Sequence, residues 1–161
     1  MKKILMRKVA RHVLEKRGYT VTVKSGQGFL PGARLAIEGE GEERHDVAVR
    51  TSADRTLSFT RQPNGKWRTL EAVTLIVVVV PDGHQGVDVM AFDAAEVKSK
   101  FNKAVKAMDR TGRTVSLTMP ISVPLDENSR KSVGHNVSGL KKLTLWSVSI
   151  NKNTLSKISQ E

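Results

Sequence analysis

Apolar residues recur along this chain with two periods, and the change from one to the other marks its elements. Over residues 3–17, Ile4, Leu5, Val9, Val13 and Leu14 return close to one face at helical spacing, while Lys3, Arg7 and Arg11 repeat every fourth residue on another. The spacing predicts an amphipathic helix. Gly18 stops it just after Lys16 and Arg17, which suit the negative end of the helix dipole. From Tyr19 the period falls to two. Tyr19, Val21 and Val23 alternate with Thr20, Thr22 and Lys24, as in a half-buried strand. Ser25 to Gly32 is a glycine- and proline-bearing loop, and Phe29 and Leu30 at its tip either tuck back into the core, the commoner outcome, or sit exposed for a ligand. Ala33 to Ile37 and His45 to Ser52 read as the second and third strands, joined by an acidic turn over 39–43. In the third strand Val47 and Val49 face one way, and Asp46, Ala48 and Arg50 the other.

The pattern continues with Thr56 to Arg61 and Lys66 to Leu70, which flank Gln62-Pro63-Asn64-Gly65 and read as a hairpin around a tight Asn-Gly turn. Ala72 to Val80 is apolar on both faces, as expected of a strand covered on each side, and Val87 to Phe92 returns as its neighbour. Asp93 with Glu96 three residues on forms a capping box opening a helix to about Met108, with Val97, Phe101, Ala104, Val105 and Met108 as the buried stripe. Beyond Gly112 the periodicity weakens. Thr114 to Thr118 suggests a strand and Pro120 to Pro124 extended chain; Asn128 to Gly139 is polar, and Leu143, Leu145 and Trp146 return to the core. The fold class is therefore α/β or α+β, a mixed central sheet flanked by helices. Residues 1–161 read as a single domain, with 114–161 as a C-terminal extension: a dimerisation arm, a partner-binding segment or completion of the fold.

Charge narrows the partners. The 161 residues carry a formal net charge of +11, which favours a polyanion over simple solubility alone. Candidate phosphate contacts are Arg7 and Arg11 on the first helix, Arg34 and Arg50 on the strand face, and Arg61, Lys66 and Arg68 on the hairpin. Lys103, Lys106 and Arg110 extend the set along the second long helix. Trp67, between Lys66 and Arg68, either stacks on a base or packs across strands in the core, the second being the commoner role. Several chemistries are excluded or unsupported. Without cysteine there is no disulfide, thiolate metal site or Cys nucleophile. The four histidines lack ligand spacing, and Ser52, Ser58 and Ser116 lack the Gly-x-Ser-x-Gly context of a hydrolase. No signal peptide or membrane helix is expected, which points to a cytoplasmic protein.

The first helix, the Gly18-Tyr19 step, the strand Val47-Ala48-Val49-Arg50-Thr51-Ser52, the strand Phe59-Thr60-Arg61 and the buried strand ending at Pro81 together resemble a known pattern. It is similar to small nucleases of the PD-(D/E)XK, or restriction-endonuclease-like, superfamily over about residues 5–108. The resemblance implies that fold, and carboxylates holding a divalent metal beside a lysine near the attacked phosphate. Carried over, the acid or amide position falls on Ala48 and the lysine on Arg50, while the acid of the preceding strand falls near Arg34 or Ala36. Alanine cannot bind a metal, and an arginine is a poor base. The expectation is therefore a pseudo-nuclease: a nucleic-acid-binding protein without a cofactor, meeting DNA ahead of RNA, with a homodimer among its arrangements. One alternative is a magnesium-dependent endonuclease with a migrated site, Glu38 and Asp46 as metal ligands and Asp46 with Arg50 as catalytic residues. A second is a non-catalytic module meeting an acidic protein.

Overall fold

The computed structural model describes residues 3–26, 28–30, 32–41, 43–110, 120–127, 129 and 139–161, with backbone alone at 3, 4, 109 and 110. Helix α1 (Lys3–Lys16) turns Met6, Val9, Ala10, Val13 and Leu14 inward. It ends where the Gly18 N–H reaches back to the Glu15 carbonyl, with Gly18 at φ 96°, a left-handed conformation that glycine adopts without steric penalty. Three strands then run as an antiparallel meander: β1 (Thr20–Val23), β2 (Arg34–Glu38) and β3 (Arg44–Thr51). The chain leaves the sheet through β4 (Thr56–Thr60) and the short helix α2 (Arg68–Ala72). It re-enters as β5 (Leu75–Pro81), parallel to β3. Strand β6 (Val87–Asp93), helix α3 (Ala94–Arg110), strand β7 (Pro120–Pro124), strand β8 (Thr144–Ile150) and helix α4 (Lys152–Ser159) complete the order.

The six-stranded sheet runs β1-β2-β3-β5-β6-β8, and β4 pairs with β7 in a separate two-stranded ribbon. The class is α+β, a mixed sheet with helices on both faces. Along β5 the side chains alternate between two cores. Leu75, Val77 and Val79 face α1 and α4, while Ile76, Val78 and Val80 face α3, α2 and the ribbon. Both faces being covered explains why β5 is apolar without alternation. At the start of α3, Asp93 caps as its spacing predicts, accepting the Glu96 N–H at 3.1 Å. Among the described residues no helix is long and apolar enough to cross a membrane.

Several expectations fail. The Gln62–Lys66 turn forms, but its second arm is not a strand: Arg68–Ala72 is helical, and β4 pairs instead with β7, Thr56 opposite Pro124 and Thr60 opposite Pro120. Trp67 and Leu70 explain this, because both are buried in the same core. A three-residue spacing puts them on one side of a helical turn and on opposite sides of a strand. Leu30 stands exposed and Phe29 is only half-buried, so the loop tip does not tuck in. Leu143 and Trp146 return to the cores, but Leu145 points outward, on the solvent side of an edge strand. The suggested strand at Thr114 to Thr118 lies outside the described residues. Residues 144–159 prove to complete the fold, with β8 extending the sheet beside β6 and Leu155 and Ile158 of α4 entering the α1 core.

Candidate anion-binding site

Strand β3 keeps the two faces its alternation requires. Val47 and Val49 are buried in the α1 core, and Ala48 lies in the core on the opposite face. The antiparallel register sets Arg34 opposite Ala48, Ala36 opposite Asp46 and Glu38 opposite Arg44. Arg34 and Arg50 are thus diagonal neighbours on one face, with backbones about 7–8 Å apart. Between them Ala48 offers only a methyl group.

Thr69, from α2, joins the two arginines. Its hydroxyl oxygen accepts from Arg34 Nη2 at 3.2 Å and from Arg50 Nη2 at 3.3 Å. Each guanidinium also lies over an aromatic ring, Arg34 over Phe29 at 5.0 Å and Arg50 over Phe59 at 4.7 Å. Burial lowers the pKa of both groups from the ordinary arginine value. Repulsion adds to this, from Arg68 on Arg34 and from Arg34 on Arg50. None of Arg34, Arg50 and Arg68 is ion-paired with a described carboxylate. A hollow of about 490 Å³ opens beside Arg50, Gln62, Arg68 and Thr69. A smaller one of about 280 Å³ continues past Arg50 to Arg34, Phe29 and Arg7. Rigid, donor-rich guanidinium forks held without counter-charge are suited to bind phosphate or carboxylate oxygens.

The structure thus gathers four of the candidate phosphate contacts, Arg7, Arg34, Arg50 and Arg68, around two adjoining hollows. The others lie elsewhere. Arg11 is exposed on α1 and paired with Glu15 at 2.7 Å. Lys66 is exposed in the tight turn, and Arg61 is half-buried after β4 with a shielded Nε that has no hydrogen-bond partner. Lys103 and Lys106 are exposed on α3, and the side chain of Arg110 lies outside the described residues. Trp67 presents no ring for stacking. It is fully buried, edge-on to Phe101, and its indole N–H donates to Asn102 Oδ1 at 2.8 Å.

The donor set does not fit a divalent metal. Glu38 is paired with Arg44, and Asp46 Oδ1 lies 2.6 Å from Lys24 Nζ. Arg50 stands four positions along β3 from Asp46, about 13 Å of strand, and its guanidinium is engaged by Thr69 and Phe59. Among the described residues no three His, Asp or Glu side chains gather. A hard cation needs several oxygen ligands, whereas the face around Ala48 carries two guanidinium groups. Thr69, and the seating of the Arg34 and Arg50 guanidinium groups over Phe29 and Phe59, escaped the sequence reading. No local signal could have found Thr69, whose partners are 35 and 19 residues away. Neither a family model, nor a curated protein, nor a solved structure matches this chain.

Proposed function

We propose that this protein holds nucleic acid by its phosphates rather than cutting it, with Arg34, Arg50 and Arg68 as the central contacts and Arg7 beside them. The observation that carries the reading is the pair at its centre: the Arg34 and Arg50 guanidinium groups drawn together on Thr69, partly desolvated and not ion-paired with a described carboxylate, on a chain of net charge +11. In this reading the frame is restriction-endonuclease-like. Supporting that is the order of α1, the Gly18-Tyr19 step, β2, β3 and a buried β5 ending at Pro81. Phosphate contacts fix affinity and register without choosing sequence. DNA is placed ahead of RNA on the resemblance alone.

The test is anisotropy of labelled duplex and single-stranded oligonucleotides across a salt series. Log affinity should fall linearly with log salt, and Arg34→Ala, Arg50→Ala and Arg68→Ala together should flatten the duplex slope by about 2–3 units. Absence of binding to either form at low salt refutes the reading. So does magnesium- or manganese-dependent nicking of supercoiled plasmid by the purified protein.

A further inference from the structure

We infer that the Arg34–Arg50–Thr69 site is a receptor for a phosphomonoester dianion, which on a nucleic acid is the phosphate at a strand end. The inference rests on the phosphate-binding reading above and deepens it. Three features separate a terminal phosphate from the diesters within a strand.

The first feature is charge. An internal diester carries one negative charge, whereas a phosphomonoester carries about −1.5 to −2 at neutral pH, its second pKa being about 6. Arg34, Arg50 and Arg68 together exceed what one diester neutralises. The second is donor count. A guanidinium has five N–H donors, and Arg34 and Arg50 each donate one to Thr69. A monoester offers three unbridged oxygens to the remaining donors, and a diester offers two. The third is access. Arg34 and Arg50 are recessed, Arg50 half-buried over Phe59 in a hollow walled by Gln62, Trp67 and Thr69, while Arg68 stands exposed at its rim. A strand end can enter such a hollow head-on, whereas an internal phosphate is flanked by sugars on both sides.

Thr69 preorganises the pair. One oxygen accepts from both cations, holding them at the separation of two forks around a single small anion. The other charged groups around the site are Arg7 from α1, Asp46 held by Lys24, and Asp54, which accepts from Ser52 and Thr56. Asp46 and Asp54 line neighbouring hollows, Asp46 paired with Lys24.

The experiment is competition anisotropy with oligonucleotides of one sequence bearing a 5′-phosphate, a 3′-phosphate or hydroxyls at both ends, and with inorganic phosphate as a separate competitor. At pH 7.5 one phosphate-ended strand should bind about tenfold or more tighter than the hydroxyl-ended strand, as expected for one or two added charge-assisted hydrogen bonds. At pH 5, where the monoester has taken up one proton and carries about one negative charge, the ratio should fall to about threefold or less. It should vanish in Arg34→Gln and in Arg50→Met, the latter keeping an unbranched stem over Phe59; thermal melts verify that both variants fold. Equal affinity of all three strands at pH 7.5 overturns the inference and leaves the nucleic-acid reading standing. If inorganic phosphate saturates the arginine site and raises the melting temperature while no strand binds, the dianion receptor stands. Its ligand is then a free phosphate compound, and the nucleic-acid reading fails.

Discussion

Arg55 is where a single change should most damage the fold. It occupies the turn between β3 and β4 at φ 60°, unusual for a residue with a side chain. Its guanidinium joins three otherwise separate segments: Asp126 after β7 through Nη2 at 2.5 Å, Asp88 of β6 through Nη1 at 3.2 Å, and the Pro81 carbonyl at the end of β5 at 3.0 Å. Its own carbonyl accepts from the Leu125 N–H and the Ser129 hydroxyl. The hydrogen bond to Asp126 raises the Arg55 pKa above its ordinary value, so the cation is firmly held. Side-chain exposure is 13% for Arg55, 21% for Asp88 and 18% for Asp126, which makes this network largely buried. Removing one partner of a buried pair costs about 3–5 kcal/mol. Discounting for the water that still reaches the carboxylates, Arg55→Ala should cost about 2–4 kcal/mol. Most of that loss comes from taking the Arg55 cation away from two largely buried carboxylates. Asp126→Asn should therefore destabilise the natural protein but recover stability in the Arg55→Ala background. Urea unfolding followed by circular dichroism gives the free energies. A cost below about 1 kcal/mol for Arg55→Ala, or an equal penalty for Asp126→Asn in both backgrounds, refutes the reasoning.

Arg50→Met should raise stability, by about 1 kcal/mol or 2–4 °C in melting temperature, because it removes a desolvated charge beside Arg34 and keeps Phe59 covered; a lower melting temperature counts against this. Gly86→Ala should lose about 1–3 kcal/mol, since its Cβ would press on the Ile150 carbonyl oxygen and lie 2.7 Å from Asp82 Oδ2, where the start of β6 meets the end of β8. An unchanged melt for Gly86→Ala would mean that this junction relaxes freely.

The features legible in the sequence are those that repeat locally. Helices α1 and α3 each carry an apolar stripe several turns long, β5 is a β-branched run, and Asp93 caps three residues from its partner. The second arm of the supposed hairpin was misread because an Asn-Gly turn reverses the chain without dictating whether a strand or a helix comes after it. The spacing of Trp67 and Leu70 decided that, through contacts with Phe101 and its neighbours. The last strand and helix were missed for a similar reason. Strand β8 has an exposed Leu145 on its polar side, and α4 has eight residues with only Leu155 and Ile158 buried, so both depend on packing against β6 and α1. The candidate site was half legible. Alternation places Arg50 with Ala48 on one face, but pairing Arg34 with them needs the β2–β3 register. Thr69 enters only through the crossover that carries α2 over the sheet.

The energetics of the cluster fit the proposal that it meets an anion from outside the chain. Folding alone gains little from Arg34 and Arg50. An apolar side chain would cover Phe59 as well, and desolvation and mutual repulsion both disfavour the two charges. A surface arginine normally escapes this by reaching into water or pairing with a carboxylate, as Arg44 does with Glu38 on the same sheet face. Arg34 and Arg50 do neither fully, because their rings and the shared Thr69 hydroxyl hold them in place. An anion that enters relieves the repulsion and supplies the missing acceptors, so part of its binding energy is strain already present in the free protein. Saturating such a site at a hundred times its dissociation constant would stabilise the fold by about 2.7 kcal/mol. That exceeds the roughly 1 kcal/mol that Arg50→Met is expected to gain, so the charged site is the less stable one when empty and the more stable one when filled.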